Sequence, residues 1–374
     1  MFQRQIYTNQ LTFFQKVRSL DVLLIISVLV LGIIGTISMY SSEGGQFSYH
    51  TKSHIIRFSV FFSLMLILSF IRIKFWYDLG YFFYFVILLL LIYAAFYGIT
   101  ASGSQRWINL YFINLQPSEL MKIAVIVCFA KYYHRMQINT VNKFKNLLSP
   151  IIILVIPVVL VLSQPDLGTS ILIASSGIVV IWLSGVNIKY FIYTALAFII
   201  SAPFIISFLK PYQKLRILSF FDPERDPLGA GYQIIQSKIA VGSGGIWGKG
   251  YLKGTQSYLE FLPEKHTDFI FTLFSEEFGF VGSVTLLIIY SIMIYRIIAI
   301  GSIARSFFAK LYCFGFGSAI FIYIIVNMSM VLGLLPIVGS PLPIMSYGGS
   351  SMLATMVGLS IVMSSKIYHR QLIS

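Results

Sequence analysis

Apolar runs with few or no charged residues, most of them near the length that crosses a bilayer, recur along the chain between short polar connections. The clearest runs are residues 22–40, 58–71, 79–98, 146–163, 167–184, 190–209, 278–295 and 311–365. The last run is long enough for two crossings, and the Pro- and Gly-containing segment 335–343 marks the break inside it. A weaker run, 116–133, carries Glu119 and Lys122. Together they predict an all-α polytopic membrane protein with about ten transmembrane helices.

Composition agrees with this class and excludes others. The 374 residues are 57% hydrophobic and 11% charged, with a mean hydropathy of +0.84. No segment outside the apolar runs could hold its own core, so we expect a single transmembrane domain over 1–374. The net charge of +14 comes from basic residues that flank apolar runs and form no face with interleaved aromatics, which argues against a nucleic-acid partner. Cys128 and Cys313 lie inside apolar runs as small core residues.

The distribution of Lys and Arg predicts the orientation. With a cytoplasmic N-terminus, most basic residues of the short loops fall on the cytoplasmic side, whereas the opposite short loops hold only Lys52, Arg57 and Arg106. Both termini are therefore expected in the cytoplasm. One large extracytoplasmic loop, about 210–267, is expected between helices 7 and 8.

This loop region is unusually acidic for so apolar a chain. Of the thirteen acidic residues, eight fall within 215–277: Asp222, Glu224, Asp226, Glu260, Glu264, Asp268, Glu276 and Glu277. Within the region, residues 222–227 have the Asp and Pro content of a turn. Residues 232–240 have the apolar spacing of a short surface helix, and residues 242–250 are rich in glycine. A glycine-rich run is a weak signal for phosphate binding, and a hinge or tight turn is the stronger interpretation.

Charged residues inside apolar segments need a partner or a function. Glu119 and Lys122 are three apart on one helix face and can pair, either to brace the bundle or to line a substrate cavity. Asp166, in QPDLG, can be a helix N-cap. Arg106, beside Trp107, can anchor at the interface or bind a diphosphate.

Asp268, in LPEKHTDFIF, lies where water gives way to hydrocarbon at the start of an apolar helix. It can cap that helix, or it can act as a general base, since a half-sheltered carboxylate can have its pKa raised. His266 is a candidate helper. A metal site formed by His50, His54 and His266 is a further alternative, although exposed loop histidines usually bind nothing.

Several long motifs resemble those of the SEDS (shape, elongation, division and sporulation) family. They are GSQRWINL, QPSELMKIA, QPDLGTSI, the segment 222–271, EEFGFVG and GLLPIVGSPLPIMSYGGSS, and they run from about 103 to 351 in the family's order and spacing. The segment 222–271 is similar to the family's rod-shape branch rather than its division branch. Ten helices is the fold that this resemblance implies.

The resemblance implies an inverting peptidoglycan glycosyltransferase of the cell-elongation machinery, located in the cytoplasmic (inner) membrane. It implies that the enzyme polymerises lipid II at the outer face, beside a class B penicillin-binding transpeptidase and other elongation-complex membrane proteins. The family's essential aspartate falls on Asp268, as a general base or a metal ligand. Candidate substrate-binding residues are Arg57, Arg106, Glu119, Lys122, Asp166, Lys265 and His266. Arg106 and Lys122 are candidates to offset charge on the leaving diphosphate, and a divalent cation, Mg²⁺ or Mn²⁺, is the alternative.

Two other functions fit the same residues. A lipid II flippase would use the same cavity charges, but alternating access predicts polar residues on both faces, and the short cytoplasmic loops hold only Asp21 and Asp78 as carboxylates. A noncatalytic scaffold that recruits the transpeptidase would need only its helical surface.

Overall fold

The structure is a computed structural model that describes residues 11–101, 104–109, 114–208, 211–225, 229–255 and 266–373. Lys265, Glu260, Glu264 and Asp226 lie outside the described residues. The substrate-binding role predicted for Lys265 therefore remains a prediction.

The described part of the chain is almost entirely helical. In chain order the helices are α1 (Phe13–Arg18), α2 (Val22–Ser42), α3 (Tyr49–Ser69), α4 (Ile73–Tyr97), α5 (Pro117–His134), α6 (Ile138–Val141), α7 (Phe144–Ser163), α8 (Leu167–Leu183), α9 (Ile188–Phe208), α10 (Pro211–Phe221), α11 (Ala230–Ser243), α12 (Ile270–Ile303), α13 (Phe307–Val331) and α14 (Gly349–Ile367). A 3-10 turn covers Pro223–Arg225.

The predicted class of all-α multi-pass membrane protein is confirmed. In the described residues, seven helices are long and apolar enough to cross a membrane, namely α2, α3, α4, α7, α12, α13 and α14. The shorter apolar helices are α8 and the first part of α9. Helix α5 is almost wholly buried and carries the charged pair Glu119 and Lys122. The count of ten crossings and the orientation of the termini stay predictions.

The helices divide into central and peripheral ones. In the most apolar stretch of α14, 83% of the residues are buried, and in that of α13 56% are buried. Only 22% are buried in the corresponding stretches of α3, α4 and α7. Helix α5 packs on α4 and α8, α14 packs on α3, and α12 packs on both α2 and α13. The polar motifs are therefore carried largely by the helices least exposed to lipid.

A small antiparallel sheet follows α4 and was not predicted. It has the order β1 (Ile99–Ala101), β2 (Ser104–Asn109), β3 (Asn114–Leu115). Strand β2 carries Arg106, and the sheet leads directly into α5.

Several helices begin before their charge-free runs, and the difference is largest in α3 and α12. Helix α3 starts at Tyr49 rather than 58, so Arg57 lies within it. Helix α12 starts at Ile270 rather than 278 and includes Glu276 and Glu277. Charge was the wrong criterion for the start of α12, because both of its glutamates are buried against partners from other segments.

The predicted surface helix at 232–240 corresponds to α11, which packs on α12 and α13. The glycine-rich segment after it forms tight turns, with positive φ at Gly245, Gly248 and Gly250. Backbone N–H groups of Lys249 and Gly250 donate to carbonyls of α12. The turn interpretation of this segment thus agrees with its backbone.

Candidate functional site

Asp268 lies in the turn that precedes α12. The N-cap of that helix is Phe269, so Asp268 does not have the N-cap role that was one alternative. The Asn327 side chain on α13 donates a hydrogen bond to the Asp268 carbonyl (2.9 Å) and another to the Ser340 carbonyl (2.6 Å). Asp268 Oδ2 is 3.4 Å from the position that a Cβ on Gly339 would occupy. Asp268 is therefore half-buried, with its backbone held by Asn327 and its carboxylate beside the 335–343 segment.

His266 belongs to a ring cluster beside Asp268. Its Nδ1 lies 2.8 Å from Ser42 Oγ, and its ring stacks on that of His50, with centroids 4.3 Å apart. The Tyr347 N–H donates to the His266 carbonyl (2.9 Å). The guanidinium of Arg57 lies 4.7 Å from the Tyr347 ring centroid. Arg57 and His266, both predicted from sequence, are thus joined through Tyr347.

Glu43 fixes the end of α3 that carries His50. Its carboxylate accepts from the backbone N–H groups of His50 (2.9 Å) and Thr51 (3.1 Å), as well as from both of their side chains. Burial alone would raise the pKa of Glu43, but the hydrogen bonds from Thr51 and His50 outweigh it, and the pKa lies below its ordinary value. Glu43 therefore works as a charged cap of α3.

Glu119 and Lys122 form a buried ion pair. The Lys122 Nζ to Glu119 Oε2 distance is 2.9 Å, and Lys122 Nζ lies 3.9 Å from the ring centroid of Tyr323. The Tyr323 hydroxyl lies 3.3 Å from Glu119 Oε2 and 3.2 Å from Ser351 Oγ. A cavity of about 30 Å³ lies against the pair, which is room for a few waters and not for a sugar.

Asp166 caps α8 and also binds Arg106. Its Oδ1 accepts from the Thr169 N–H (3.1 Å), as the N-cap interpretation predicted. Its Oδ2 accepts from Arg106 NH1 (2.9 Å) and from the Gln116 side chain (3.0 Å). Arg106 Nε is buried without a hydrogen-bond partner among the described residues. The guanidinium therefore keeps donor capacity beyond its ion pair.

The segment 332–351 joins these groups at one end of the bundle, which we call the aspartate end. The start of α8 approaches this segment so closely that a Cβ on Gly168 would lie 2.1 Å from the Val338 carbonyl oxygen. Ser350 Oγ accepts from the Gln116 N–H (2.8 Å). The Tyr323 hydroxyl lies 3.2 Å from Ser351 Oγ at the end of this segment and also contacts Glu119. One segment thus contacts Asp268, the Tyr323 side chain beside the Glu119–Lys122 pair, and the Asp166 cluster.

A second carboxylate cluster fastens the glycine-rich segment to α12. Glu276 Oε1 accepts from Lys249 Nζ (2.6 Å) and from the Thr255 N–H (2.9 Å). Glu277 accepts from the Ser41 hydroxyl on α2. Two of the eight acidic residues that drew attention to this region therefore have structural partners.

The described residues do not assemble the predicted metal alternatives. Across the described ranges, no group of three His, Cys, Asp or Glu side chains could hold a metal ion. His50 and His266 stack, but His54 is buried on α3, and neither of its ring nitrogens has a partner in the described structure. The three histidines named as a metal alternative thus form no common ligand group, and Lys265 lies outside the described residues.

Sequence reasoning missed several residues of this end. They are Glu43, Tyr323, Asn327, Tyr347 and Ser351, and His50 was considered only as a metal ligand. Asn327 and Tyr323 offered a signal, since a polar pair four residues apart in an apolar run indicates an inward face.

Comparison with known proteins places the chain in a family. A family model described as a cell cycle protein, covering FtsW, RodA and SpoVE, matches residues 18–371. The chain is 39% identical over 370 residues to the peptidoglycan glycosyltransferase MrdB of Escherichia coli K12, and the match covers 98% of each chain. It is 35% identical over 317 residues to the probable peptidoglycan glycosyltransferase FtsW of Buchnera aphidicola subsp. Baizongia pistaciae, covering 84% and 83%.

Solved structures agree at the level of the fold. A chain from a peptidoglycan synthase complex that coordinates polymerization and crosslinking superposes with a TM-score of 0.82 at 29% identity, covering 94% of this chain and 99% of that one. The rod shape determining protein RodA of Thermus thermophilus gives 0.72 at 24% identity, covering 94% and 98%. The chain belongs to the FtsW, RodA and SpoVE family of cell cycle proteins, which is the SEDS family that its motifs predicted.

Proposed function

We propose that this chain is a peptidoglycan glycosyltransferase that polymerises lipid II into glycan strands at the outer face of the cytoplasmic membrane. Asp268 is the general base. The observation that carries the proposal is the placement of Asp268, whose backbone carbonyl accepts from Asn327 and whose carboxylate lies beside Gly339. It lies at the end of the bundle that also gathers Arg57, Arg106 and Lys122. The glycosyltransferase names of the curated relatives support the reaction class.

The proposed chemistry is a single displacement. The acceptor sugar hydroxyl attacks C1 of the donor, the C1–O bond to the lipid diphosphate breaks, and the proton passes to the Asp268 carboxylate. The configuration at C1 inverts. Because the diphosphate is a good leaving group, no nucleotide is consumed, which agrees with a sequence that has no GxxxxGK[ST] phosphate-binding motif.

The cationic side chains at this end differ in how far their charge is already used in an ion pair. Lys122 is buried and paired with Glu119, so its proposed role is to balance the charge of Glu119 inside the bundle. Arg106 is part-buried, and its pair with Asp166 uses one of the two terminal nitrogens. We therefore assign Arg106 as the main partner of the leaving diphosphate, with Asp166 as its positioning residue. Arg57 and His266 are proposed to bind the second substrate, and Lys265 retains its proposed binding role.

The proposed partner is a class B penicillin-binding transpeptidase, alongside other membrane proteins of the elongation complex. The likeness to a chain of a peptidoglycan synthase complex supports a partner of this kind. Residues 1–374 are proposed to act in that complex as one domain.

Polymer formation from lipid II tests the function. The purified full chain, with and without a class B transpeptidase, is incubated with labelled lipid II, and glycan length is read on a gel. We expect strands that are insensitive to inhibition of transpeptidation. A chain that moves lipid II across vesicles without forming strands would be a flippase, and one that only stimulates the partner's crosslinking would be a scaffold. Either result contradicts the proposal.

A further inference from the structure

At the end of the bundle opposite Asp268, a groove with a volume of about 540 Å³ is lined by basic side chains. It is formed by the end of α1, the start of α2, the second half of α12 and the end of α14. Its charged and titratable lining residues are Arg18, Asp21, Arg296, Lys366 and His369.

Three helices place this groove at the other end of the bundle. Helix α2 runs from Asp21 in the groove to Ser42 beside His266, and α14 runs from Gly349, next to the Asp268 cluster, to Lys366. On α12, Arg296 follows the non-helical Gly279 by 17 residues, about 26 Å of helix at 1.5 Å per residue. The groove is therefore a separate feature from the proposed active site.

The groove carries uncompensated positive charge. Asp21 caps α2 through the Leu24 N–H (3.0 Å) and also binds Arg296 through Nε (3.1 Å) and a second guanidinium nitrogen, so this one carboxylate offsets Arg296. In the described ranges, no carboxylate forms an ion pair with Arg18 or Lys366. Two cations thus face a cavity of the size that binds a small polar group.

Apolar side chains flank the same groove. Val22 and Leu23 line it and are 66% and 45% exposed, and Phe13 and Phe14 on α1 are 67% and 86% exposed. Helix α1 is held against the bundle by the Phe13–Phe70 ring contact (5.5 Å). A short helix with exposed aromatic and basic residues is typical of the membrane interface. The ligand that this pattern fits has an anionic head and apolar tails.

We propose that this groove binds an anionic phospholipid, with the phosphate held between Arg18 and Lys366 and the acyl chains along Val22 and Leu23. Basic pockets between helices at a membrane surface bind lipid head groups in this way. The inference does not depend on the proposed glycosyltransferase activity.

Native mass spectrometry of the purified full chain tests the proposal. Phosphatidylglycerol is titrated in competition with phosphatidylcholine of the same acyl chains. We expect the wild type to prefer phosphatidylglycerol, and Arg18→Gln/Lys366→Gln to bind it about 30-fold more weakly, since each basic side chain contributes about a fivefold effect. The matched control is Arg72→Gln/Lys74→Gln, which removes two exposed cations at the start of α4 outside the groove.

Each other outcome overturns the proposal. No preference in the wild type excludes a lipid site, and equal weakening in the control pair indicates diffuse surface charge. Displacement of phosphatidylglycerol by inorganic phosphate at matched concentration indicates an anion site that does not select lipid. If the double variant does not fold, Arg18→Gln alone decides, because Arg18 is exposed, and unchanged binding there contradicts the assignment.

Discussion

Tyr323 and Asn327 lie one helical turn apart on α13, and each connects to a different charged group. The Tyr323 hydroxyl contacts Glu119, whereas Asn327 binds the Asp268 carbonyl. Because Asn327 also binds Ser340, a single amide fixes the turn before α12 to the 335–343 segment. Polar residues of one helix face thus set the distance between the ion pair and the carboxylate.

At the same scale, Lys122→Ala is expected to lower the free energy of unfolding by about 3 kcal/mol or more, because it leaves the buried Glu119 unpaired. The measurement is chemical unfolding in detergent. The matched control is Glu119→Gln/Lys122→Met, which removes both charges and should recover most of the loss. Equal loss in the single and double variants would mean that the pair is not what stabilises this position.

At the scale of elements, the kink in α12 depends on Gly279. Its backbone has φ 66° and ψ −160°, a conformation open essentially only to glycine. A Cβ there would lie 2.3 Å from the backbone nitrogen of Gly248. The kink is the place where the glycine-rich segment lies against α12, with the Phe280 and Val281 N–H groups donating to Gly245 and Ile246.

Gly279→Ala is therefore expected to destabilise the protein by about 2 kcal/mol or more. Gly242→Ala is the control, since Gly242 is an exposed helical residue of α11 with no atom within 4 Å of a new Cβ. It should be neutral or slightly stabilising. Melting temperatures of the two variants make the comparison, and an unchanged value for Gly279→Ala would contradict this account of the kink.

The junction between α2 and α3 should respond to pH through Glu43. A carboxyl whose pKa is lowered by folding stabilises the protein above its ordinary value of 4.5, and this contribution is lost as the pH falls through the lower folded-state value. Glu43→Gln should therefore lower the melting temperature most near about pH 7 and progressively less below about pH 4.5. A deficit that is the same at every pH would show that hydrogen bonding, and not the charge, is what matters.

At the scale of the whole molecule, the sequence was sufficient for the class of fold because apolar runs report burial in lipid directly. It was also sufficient for contacts that are local in the chain, such as the Glu119–Lys122 pair and the Asp166 cap. These interactions follow from helical spacing and capping chemistry, which are visible within a few residues.

The rest depends on contacts between distant segments. His50 and His266 are 216 positions apart and stack, and Glu277 binds Ser41 from 236 positions away. Such pairs leave no periodic trace in a single sequence. The early start of α12 could not be predicted for the same reason. Glu276 and Glu277 look like residues of a solvent-exposed segment, and only the folded structure shows their partners.

The activity of Asp268→Asn with lipid II tests the central claim most directly. The variant keeps the backbone contact to Asn327 and removes only the base, so we expect its rate of glycan formation to fall by at least about 100-fold with an unchanged melting temperature. Asp78→Asn, the same change at an exposed residue of α4, is the control and should retain the wild-type rate. Polymerisation by Asp268→Asn within about threefold of the wild type would remove Asp268 from the role of general base.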